Sequence, residues 1–199
     1  MSFDTSLPPD RPLPPPERTG GLPLMQVLGR RASGRDFSAR PLPEQVLSNL
    51  LWAANGVNRP ESGRRTAASA CNWQEIDLYV IRGDGAYRYD PQAHALRGWG
   101  SGDLRPATGV QAFVARAPLV LAYVADLSKM KGADEDGRRF YPACDTGYVS
   151  ANVYLFCASE GLATVALISV DKPVLHERLG LRADQAITLT QPVGYPVES

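Results

Sequence analysis

Histidine is scarce in this chain, with two residues in 199, and the three cysteines are scattered. His94 and His176 lie in unrelated places, and Cys71, Cys144 and Cys157 form no CxxC pair. This spacing argues against a metal site or a disulfide framework and favours reduced thiols in an intracellular, cytoplasmic protein. So little imidazole also leaves acid–base catalysis through histidine without support.

Excess charge of one sign is also missing, because 21 Lys and Arg residues balance 21 Asp and Glu residues. This balance argues against a general binder of nucleic acid or membrane surfaces, since such proteins carry a broad basic excess. The longest apolar run, residues 117–125, is about half of a membrane span and predicts a buried strand. The first 21 residues contain no apolar h-region, so no signal peptide is expected.

Familiar catalytic fingerprints are missing as well. The chain contains no Walker A loop, no GxSxG elbow and no GxGxxG dinucleotide motif, and no Ser/His/Asp arrangement has support. If the protein is an enzyme, a bound cofactor is therefore expected to carry the difficult chemistry.

Proline, by contrast, is concentrated at the N-terminus, where seven of the 17 prolines fall within the first 23 residues. This composition predicts an extended arm over residues 1–22. The arm either lies across something, such as a partner subunit, or forms a loose tail, and the sequence does not choose between these. Residues 23–199 are predicted to form a single domain with a sizeable core.

Hydrophobic periodicity after the arm mixes helices and strands without a regular βαβ rhythm. Helices are predicted over residues 23–31, 43–55, 106–117, 145–160 and 172–180. Strands are predicted over residues 75–83, on both sides of the turn at Asp90-Pro91, and over 119–127, 163–170 and 186–195. The pattern favours an α+β fold with one sheet and helices packed on it.

Positive charge clusters in "GRRASGRDFS", directly after the first predicted helix. If this segment is extended, the side chains of Arg31, Ser33 and Arg35 share one side and can face one ligand. Guanidinium groups form bidentate hydrogen bonds with phosphate, so the segment is a candidate phosphate site. The alternative is a solvated cluster, because 18 of the 21 basic residues in this chain are arginine.

A second candidate segment, "TAASACNWQE" over residues 66–75, leads into a predicted strand through small side chains. Small side chains let a flat ring approach backbone amides. Asn72 and Gln74 can donate and accept hydrogen bonds around the polar edge of such a ring. The alternative is an ordinary loop that enters a strand.

Five short motifs together resemble the FMN-dependent nitroreductase superfamily, in particular its short members related to SagB-type dehydrogenases. "RASGRDF" resembles the family's Arg-x-Ser-x-(Lys/Arg)-x-Phe flavin motif, and "SACNWQ" resembles its Ser-(Ser/Ala)-x-Asn-x-Gln segment. "DTGYVSANVYLFCASEGLATV" is similar to the family's Gly…Asn-x-x-Leu…Ala…Gly-Leu helix, and "LGL" and "VGYP" resemble its C-terminal landmarks. Each motif is weak alone, but their order and spacing match from about residue 24 to residue 196.

The resemblance implies a nitroreductase-like α+β fold, with a central, mostly antiparallel sheet flanked by helices in an intertwined homodimer. It implies FMN at the subunit interface and two-electron transfer from NADH or NADPH to a small electron-poor acceptor, of nitroaromatic or quinone type. Flavin N5 would carry the chemistry, so no catalytic side chain is implied. Two alternatives stay open: a peptide-modifying dehydrogenase of the SagB type, and a flavin-binding storage or sensing protein with little turnover.

The resemblance also implies which residues contact FMN. In one subunit Arg31 would hold the phosphate, and Arg35 would lie beside N1 and O2 of the isoalloxazine, where a cation stabilises reduced flavin. The same subunit would also contribute Ser33 and the backbone of Ala32. The other subunit would supply Ser69, Ala70, Cys71, Asn72 and Gln74. The ring would be flanked by the backbone of Leu167, Ile168 and Ser169, with Gln111 near a polar contact of the flavin.

Two features depart from the family pattern. Many members place a phosphate-binding Lys-x-Arg pair after the C-terminal Gly-Tyr-Pro-like segment, and this sequence stops without one. Arg30, Arg64 or Arg65 would replace the pair, or FMN would bind more weakly. Azoline-oxidising members rely on a Lys-Tyr pair, whereas Tyr141 has no adjacent lysine, which argues against that role.

Overall fold

The computed structural model describes residues 7–197, which form helices on both faces of one large sheet. The helices are α1 (Leu24–Arg30), α2 (Glu44–Asn55), α3 (Glu135–Glu160) and α4 (Lys172–Arg178). The strands are β1 (Arg11–Pro12), β2 (Val57–Arg59), β3 (Arg64–Arg65), β4 (Ile76–Arg82), β5 (Gly85–Asp90), β6 (Ala95–Ser101), β7 (Leu119–Asp126), β8 (Ala163–Thr164) and β9 (Gln185–Gly194).

The main sheet has the order β1-β6-β5-β4-β7-β9-β8, and every neighbouring pair in it is antiparallel. Strands β2 and β3 form a separate hairpin. The predicted α+β class with a large antiparallel sheet is therefore confirmed. Most predicted elements also agree with the structure to within a few residues.

The middle of the sheet is apolar on both faces. Strand β7 is buried at every position. On one face, Leu78 and Leu121 pack in the cluster that includes buried residues of α2 and α3. On the other face, Tyr79 and Ala122 pack in the cluster that contains Leu175 of α4. Because strands that are buried on both faces lose the alternation of polar and apolar residues, they read as continuous apolar runs.

Helix α3 begins ten residues before the predicted start at residue 145, since it spans Glu135–Glu160. The side chain of Asp134 caps it by accepting a hydrogen bond from the backbone N–H of Gly137 at 2.8 Å. Its first turns are polar and include Pro142, which normally signals a break. Within residues 7–197, neither this helix nor any other is long and apolar enough to cross a membrane.

Two predicted elements are wrong. The predicted helix over 106–117 is replaced by two short 3₁₀ turns, Arg105–Ala107 and Val114–Arg116, joined by a tight loop. A Cβ at Gly109 in that loop would meet Val114 Cγ2 at 2.8 Å, so the chain doubles back on itself there. The predicted strand over 163–170 pairs only along β8 and at an isolated bridge from Leu167.

The described part of the N-terminal arm, residues 7–22, lies across its own subunit. Strand β1 pairs with the edge strand β6, and Leu13 is buried in the core. The Ser48 hydroxyl of α2 donates to the carbonyl of Pro14 at 2.6 Å. The arm therefore covers an edge that would otherwise expose unpaired backbone groups. Residues 1–6 of the predicted arm lie outside the described range.

Candidate functional site

The arginine segment, defined as residues 31–35, leaves the end of α1 and runs beside β8. The backbone N–H of Gly34 donates to the carbonyl of Thr164 at 2.9 Å. A Cβ at Gly34 would approach the Cβ of Ala163 to 3.0 Å, so glycine permits this close approach. The two arginine side chains and the serine side chain of the segment are exposed. The backbone is thus held while the polar side chains are free to meet a ligand.

Tyr154 of α3 contacts the arginine segment twice. The guanidinium carbon of Arg31 lies 5.3 Å from the centre of the Tyr154 ring. The Tyr154 hydroxyl lies 3.1 Å from Ser33 Oγ and accepts a hydrogen bond from the backbone N–H of Ala166 at 2.8 Å. Sequence reasoning did not identify Tyr154, because the helix motif that contains it carried no signal for a polar contact.

The predicted ring-flanking residues, Leu167, Ile168 and Ser169, come directly after Ala166 and lie beside the loop that contains Gln111. Leu167 is buried, whereas the side chain of Ile168 is 78% exposed and Ser169 is exposed. The carbonyl of Ser169 accepts a hydrogen bond from the backbone N–H of Val110 at 3.1 Å. Gln111 Oε1 is buried and has no hydrogen-bond partner within residues 7–197. The structure therefore places an unsatisfied acceptor near this segment.

The second predicted segment forms a strained loop, residues 69–74. Cys71, Asn72 and Gln74 have φ angles of 49°, 54° and 51°, in a region that residues other than glycine rarely adopt. Two hydrogen bonds brace the loop: Gln74 N donates to Ser69 Oγ at 2.8 Å, and Gln74 Nε2 donates to Asn72 Oδ1 at 3.1 Å. Such strain persists only where the surroundings enforce it, and it clusters at ligand sites.

A cavity of about 490 Å³ lies against the strained loop. This volume falls within the range of roughly 300–1,000 Å³ that is usual for small-molecule pockets. Its lining includes four predicted site residues and the three arginines of the β2–β3 hairpin: Ser69, Cys71, Asn72, Gln74, Arg59, Arg64 and Arg65. Ala70, which is also a predicted site residue, is not part of the lining.

Two buried carboxyl groups accept hydrogen bonds from the strained loop. Ala70 N donates to Asp145 Oδ2 at 2.8 Å, and Ser69 Oγ donates to Glu75 Oε2 at 3.2 Å. Glu75 is fully buried and Asp145 nearly so. Burial, reinforced by the neighbouring negative charge of Asp145, raises the pKa of Glu75 to about 7. Sequence reasoning had no signal for this pair, since it treated Asp145 only as a helix start.

The arginines of the hairpin bring positive charge to the cavity, whose lining also includes Asp145. None of the three forms an ion pair within the part of the chain that the structure describes. Arg65 Nε is buried without a hydrogen-bond partner in the same range, and burial lowers the pKa of this guanidinium. Arg59 is partly engaged, because it donates to the carbonyl of Arg65 at 2.7 Å. An anionic group in the cavity would offset this charge.

Comparison with known proteins places the chain in a family. The sequence profile described as "Nitroreductase family" matches residues 28–195, which is most of the chain. This chain belongs to the nitroreductase family. It is accordingly a nitroreductase-family oxidoreductase, and the resemblance drawn from its motifs is confirmed.

Individual relatives agree with this assignment. The chain is 32% identical over 185 residues to a Methanocaldococcus jannaschii protein named "Putative nitroreductase", with 88% of this chain and 92% of the relative covered. It is similar to a crystal structure of a "putative nitroreductase" from Ralstonia eutropha JMP134, with a TM-score of 0.92, 39% identity and 100% and 97% of the two chains covered. A chain of the E. coli microcin synthetase McbBCD complex shares the fold, with a TM-score of 0.76, 20% identity and coverage of 85% and 70%.

In this member of the nitroreductase family, helix α3 separates the two predicted segments within one chain. Asp145 supports the strained loop, whereas Tyr154 contacts the arginine segment. Their nine-position separation corresponds to about 13.5 Å along the helix axis, at 1.5 Å per residue. Within residues 7–197, no hydrogen bond joins the two segments. One chain therefore presents two separate candidate half-sites, namely the arginine segment (residues 31–35) and the strained loop (residues 69–74).

Proposed function

We propose that this nitroreductase binds FMN between two copies of the chain and transfers two electrons from NADH or NADPH to a small electron-poor acceptor. The observation that carries the proposal is the separation of the two half-sites on α3. A second copy could bring the arginine segment of one subunit to the strained loop of the other. Family membership supports a flavin as the cofactor.

Exposed apolar residues beside the arginine segment support a second copy as the partner. Leu24, Met25 and Leu28 of α1 are 62%, 78% and 49% exposed. They lie just before the arginine segment in the sequence and form an apolar surface on α1. An exposed apolar group of this kind beside a binding segment is typical of an interface between subunits.

The residues present fit the chemistry of FMN. Its phosphate needs cations, and the arginine segment and the hairpin arginines supply them without competing ion pairs. Its flat ring needs a surface of small residues, and Ala67 and Ala68 line the cavity beside the strained loop. A ring N–H needs an acceptor, and Gln111 Oε1 is buried without a partner in the described residues.

Each half-site would then have a defined task. FMN, when bound, would supply a hydride acceptor at N5. Arg31 and Ser33 would hold the phosphate. Arg35 would place its cation at the edge of the ring where negative charge develops, which is the arrangement that stabilises such charge most effectively. Backbone at 167–169 would border the other edge, and protons would come from water or the acceptor.

We also propose that Arg64 and Arg65 supply further cations for the phosphate. Both line the 490 Å³ cavity, whereas Arg30 lines a smaller cavity of about 200 Å³ next to Gly34. Arg64→Gln should therefore weaken FMN binding more than Arg30→Gln does in flavin titrations. The reverse order would assign the phosphate to Arg30.

The experiment that tests the proposed function begins with purification and identification of the released flavin by chromatography. FMN as the bound species, anaerobic bleaching of the visible spectrum by NADH or NADPH, and recovery of the spectrum on adding a nitroaromatic or quinone would support the proposal. FAD as the only flavin, or no binding of added FMN, would overturn it. Bleaching without turnover of any acceptor would favour the storage or sensing alternative, and oxidation of an azoline peptide would favour the SagB-type alternative.

A further inference from the structure

Tyr154 occupies the junction between the arginine segment and the ring-flanking segment. Its hydroxyl contacts Ser33 Oγ at 3.1 Å and Ala166 N at 2.8 Å, and its ring lies 5.3 Å from the guanidinium carbon of Arg31. Ser33 and Tyr154 are 121 residues apart in sequence. One side chain of α3 thus joins two parts of the half-site that are remote along the chain.

The chemistry of the three groups fixes the direction of one hydrogen bond and allows a matching direction for the other. A backbone N–H can only donate, so Ala166 donates and the Tyr154 oxygen accepts. Ser33 Oγ is the acceptor within reach of the Tyr154 hydroxyl among the described residues. The Tyr154 hydroxyl keeps its own proton and can donate it to Ser33 Oγ. This arrangement gives an order of donation from Ala166 to Tyr154 to Ser33.

This order leaves the proton of Ser33 itself available. Ser33 is exposed, so its O–H can donate outward to a ligand. A hydroxyl that accepts one hydrogen bond donates a stronger one, because successive bonds polarise each other. The Ser33 hydroxyl is thus prepared as a donor to an acceptor-only group, and phosphate oxygens are such a group.

The Tyr154 ring acts on the neighbouring cation. Arg31 is exposed and forms no ion pair within residues 7–197. Its contact with the ring face limits the conformations of a long side chain before any ligand arrives. A side chain that is ordered in advance loses less entropy on binding, so it binds more tightly.

We infer that Tyr154 is a positioning residue that directs the Ser33 hydroxyl and the Arg31 guanidinium towards a phosphate group. The inference rests on the proposed FMN site and names the part of FMN that this half-site recognises. It follows that Tyr154 contributes to affinity for FMN and not for riboflavin, which has the same ring and lacks the phosphate. A merely structural tyrosine would affect both ligands alike.

The test is titration of flavin-free protein with FMN and with riboflavin. Tyr154→Phe keeps the ring over Arg31 and removes the hydroxyl. We expect about a tenfold weaker affinity for FMN, as for the loss of one hydrogen bond to a charged group, and an unchanged affinity for riboflavin. Tyr154→Leu also removes the ring and should weaken FMN binding further. Tyr148→Phe is the matched control, because Tyr148 lies on the same helix and its side chain is 52% exposed.

Ser33→Ala provides a second readout that does not disturb the core, since Ser33 is exposed. It should reproduce the loss of FMN affinity, and adding Tyr154→Phe to it should cause little further loss, because both changes break one chain of hydrogen bonds. Equal loss of FMN and riboflavin affinity in Tyr154→Phe, or no loss of either, would overturn the inference. Failure of the unmodified protein to bind any FMN would instead overturn the proposed function.

Discussion

Glu75 and Asp145 both hold the strained loop 69–74, and each accepts a hydrogen bond from a different loop residue. Asp145 Oδ2 accepts from Ala70 N at 2.8 Å, and Glu75 Oε2 accepts from Ser69 Oγ at 3.2 Å. Burial, together with the nearby negative charge of Asp145, raises the pKa of Glu75, so Glu75 keeps its proton to a higher pH than an exposed glutamate does. Both carboxyl groups contribute to the geometry of the loop that lines the cavity.

The first prediction concerns the pH dependence of stability. The pKa of Glu75 rises from 4.5 in an exposed chain to about 7 in the folded protein, chiefly because the side chain is buried. Between these values the unfolded chain releases the proton and the folded protein keeps it, so this group lowers stability progressively as pH rises from about 4.5 to about 7. Glu75→Gln should remove that loss, and its advantage over the unmodified protein should grow across this window. Urea denaturation at a series of pH values measures the difference.

Glu135→Gln is the control for this experiment. Glu135 is exposed at the start of α3, and its ion-pair partner among residues 7–197 is Arg139, one turn later. Its substitution should shift the free energy of unfolding slightly and leave its pH dependence unchanged. If the unmodified protein and Glu75→Gln show the same pH dependence, the pKa of Glu75 is not raised in the folded protein.

A second prediction separates two arginines of the arginine segment. Arg35→Ala should slow flavin reduction by NADH or NADPH more than it weakens FMN binding. Loss of a charge-stabilising donor typically raises the barrier by roughly 2–4 kcal/mol. Arg31→Ala should do the reverse, loosening FMN while sparing the reduction rate at saturating flavin. Stopped-flow reduction and flavin titration of both variants measure the two effects, and similar behaviour of the two would show that the assigned roles are wrong.

The elements that the sequence predicts well are those whose pattern is local. The apolar stripe of α2, the continuous apolar run of β7 and the Asp171 cap of α4 are each visible within a dozen residues, and the structure contains all three. The candidate half-sites were predicted in the same way, as short motifs. Each motif forms a continuous stretch whose position needs no knowledge of distant parts of the chain.

What the sequence could not predict depends on contacts between remote residues. Ala70 and Asp145 are 75 positions apart, and Ser33 and Tyr154 are 121 apart. Neither contact leaves a periodic trace, because only the folded chain brings the groups together. The polar start of α3 was missed for another reason: Pro142 and the absence of an apolar stripe conceal a helix that its cap and its later turns stabilise.

A third prediction tests the shared site. Light scattering at micromolar concentration should report a dimer of the unmodified protein. Met25→Glu places a charge on the exposed apolar side of α1, where Met25 is 78% exposed, so it should shift the protein towards monomer and weaken FMN binding in parallel. Val174→Glu is the control, because Val174 is 43% exposed and lies on α4, outside the apolar surface of α1. A flavin-loaded monomer of the unmodified protein would contradict the shared site.

The last prediction uses two glycines that bracket the start of the arginine segment. A Cβ on Gly34 would lie 3.0 Å from the Cβ of Ala163, and this contact would push the segment away from β8. Gly34→Ala should therefore destabilise the protein by about 1–3 kcal/mol, the usual range for overpacking, and weaken FMN binding.

Gly29 lies within α1, where a Cβ would meet nothing within 4 Å. Gly29→Ala should stabilise the protein by up to about 1 kcal/mol, because alanine favours the helix, and leave FMN binding unchanged. Thermal unfolding and flavin titration of both variants provide the measurements. If Gly34→Ala retained full stability and full FMN affinity, the close approach of this segment to β8 would not be what positions the arginines.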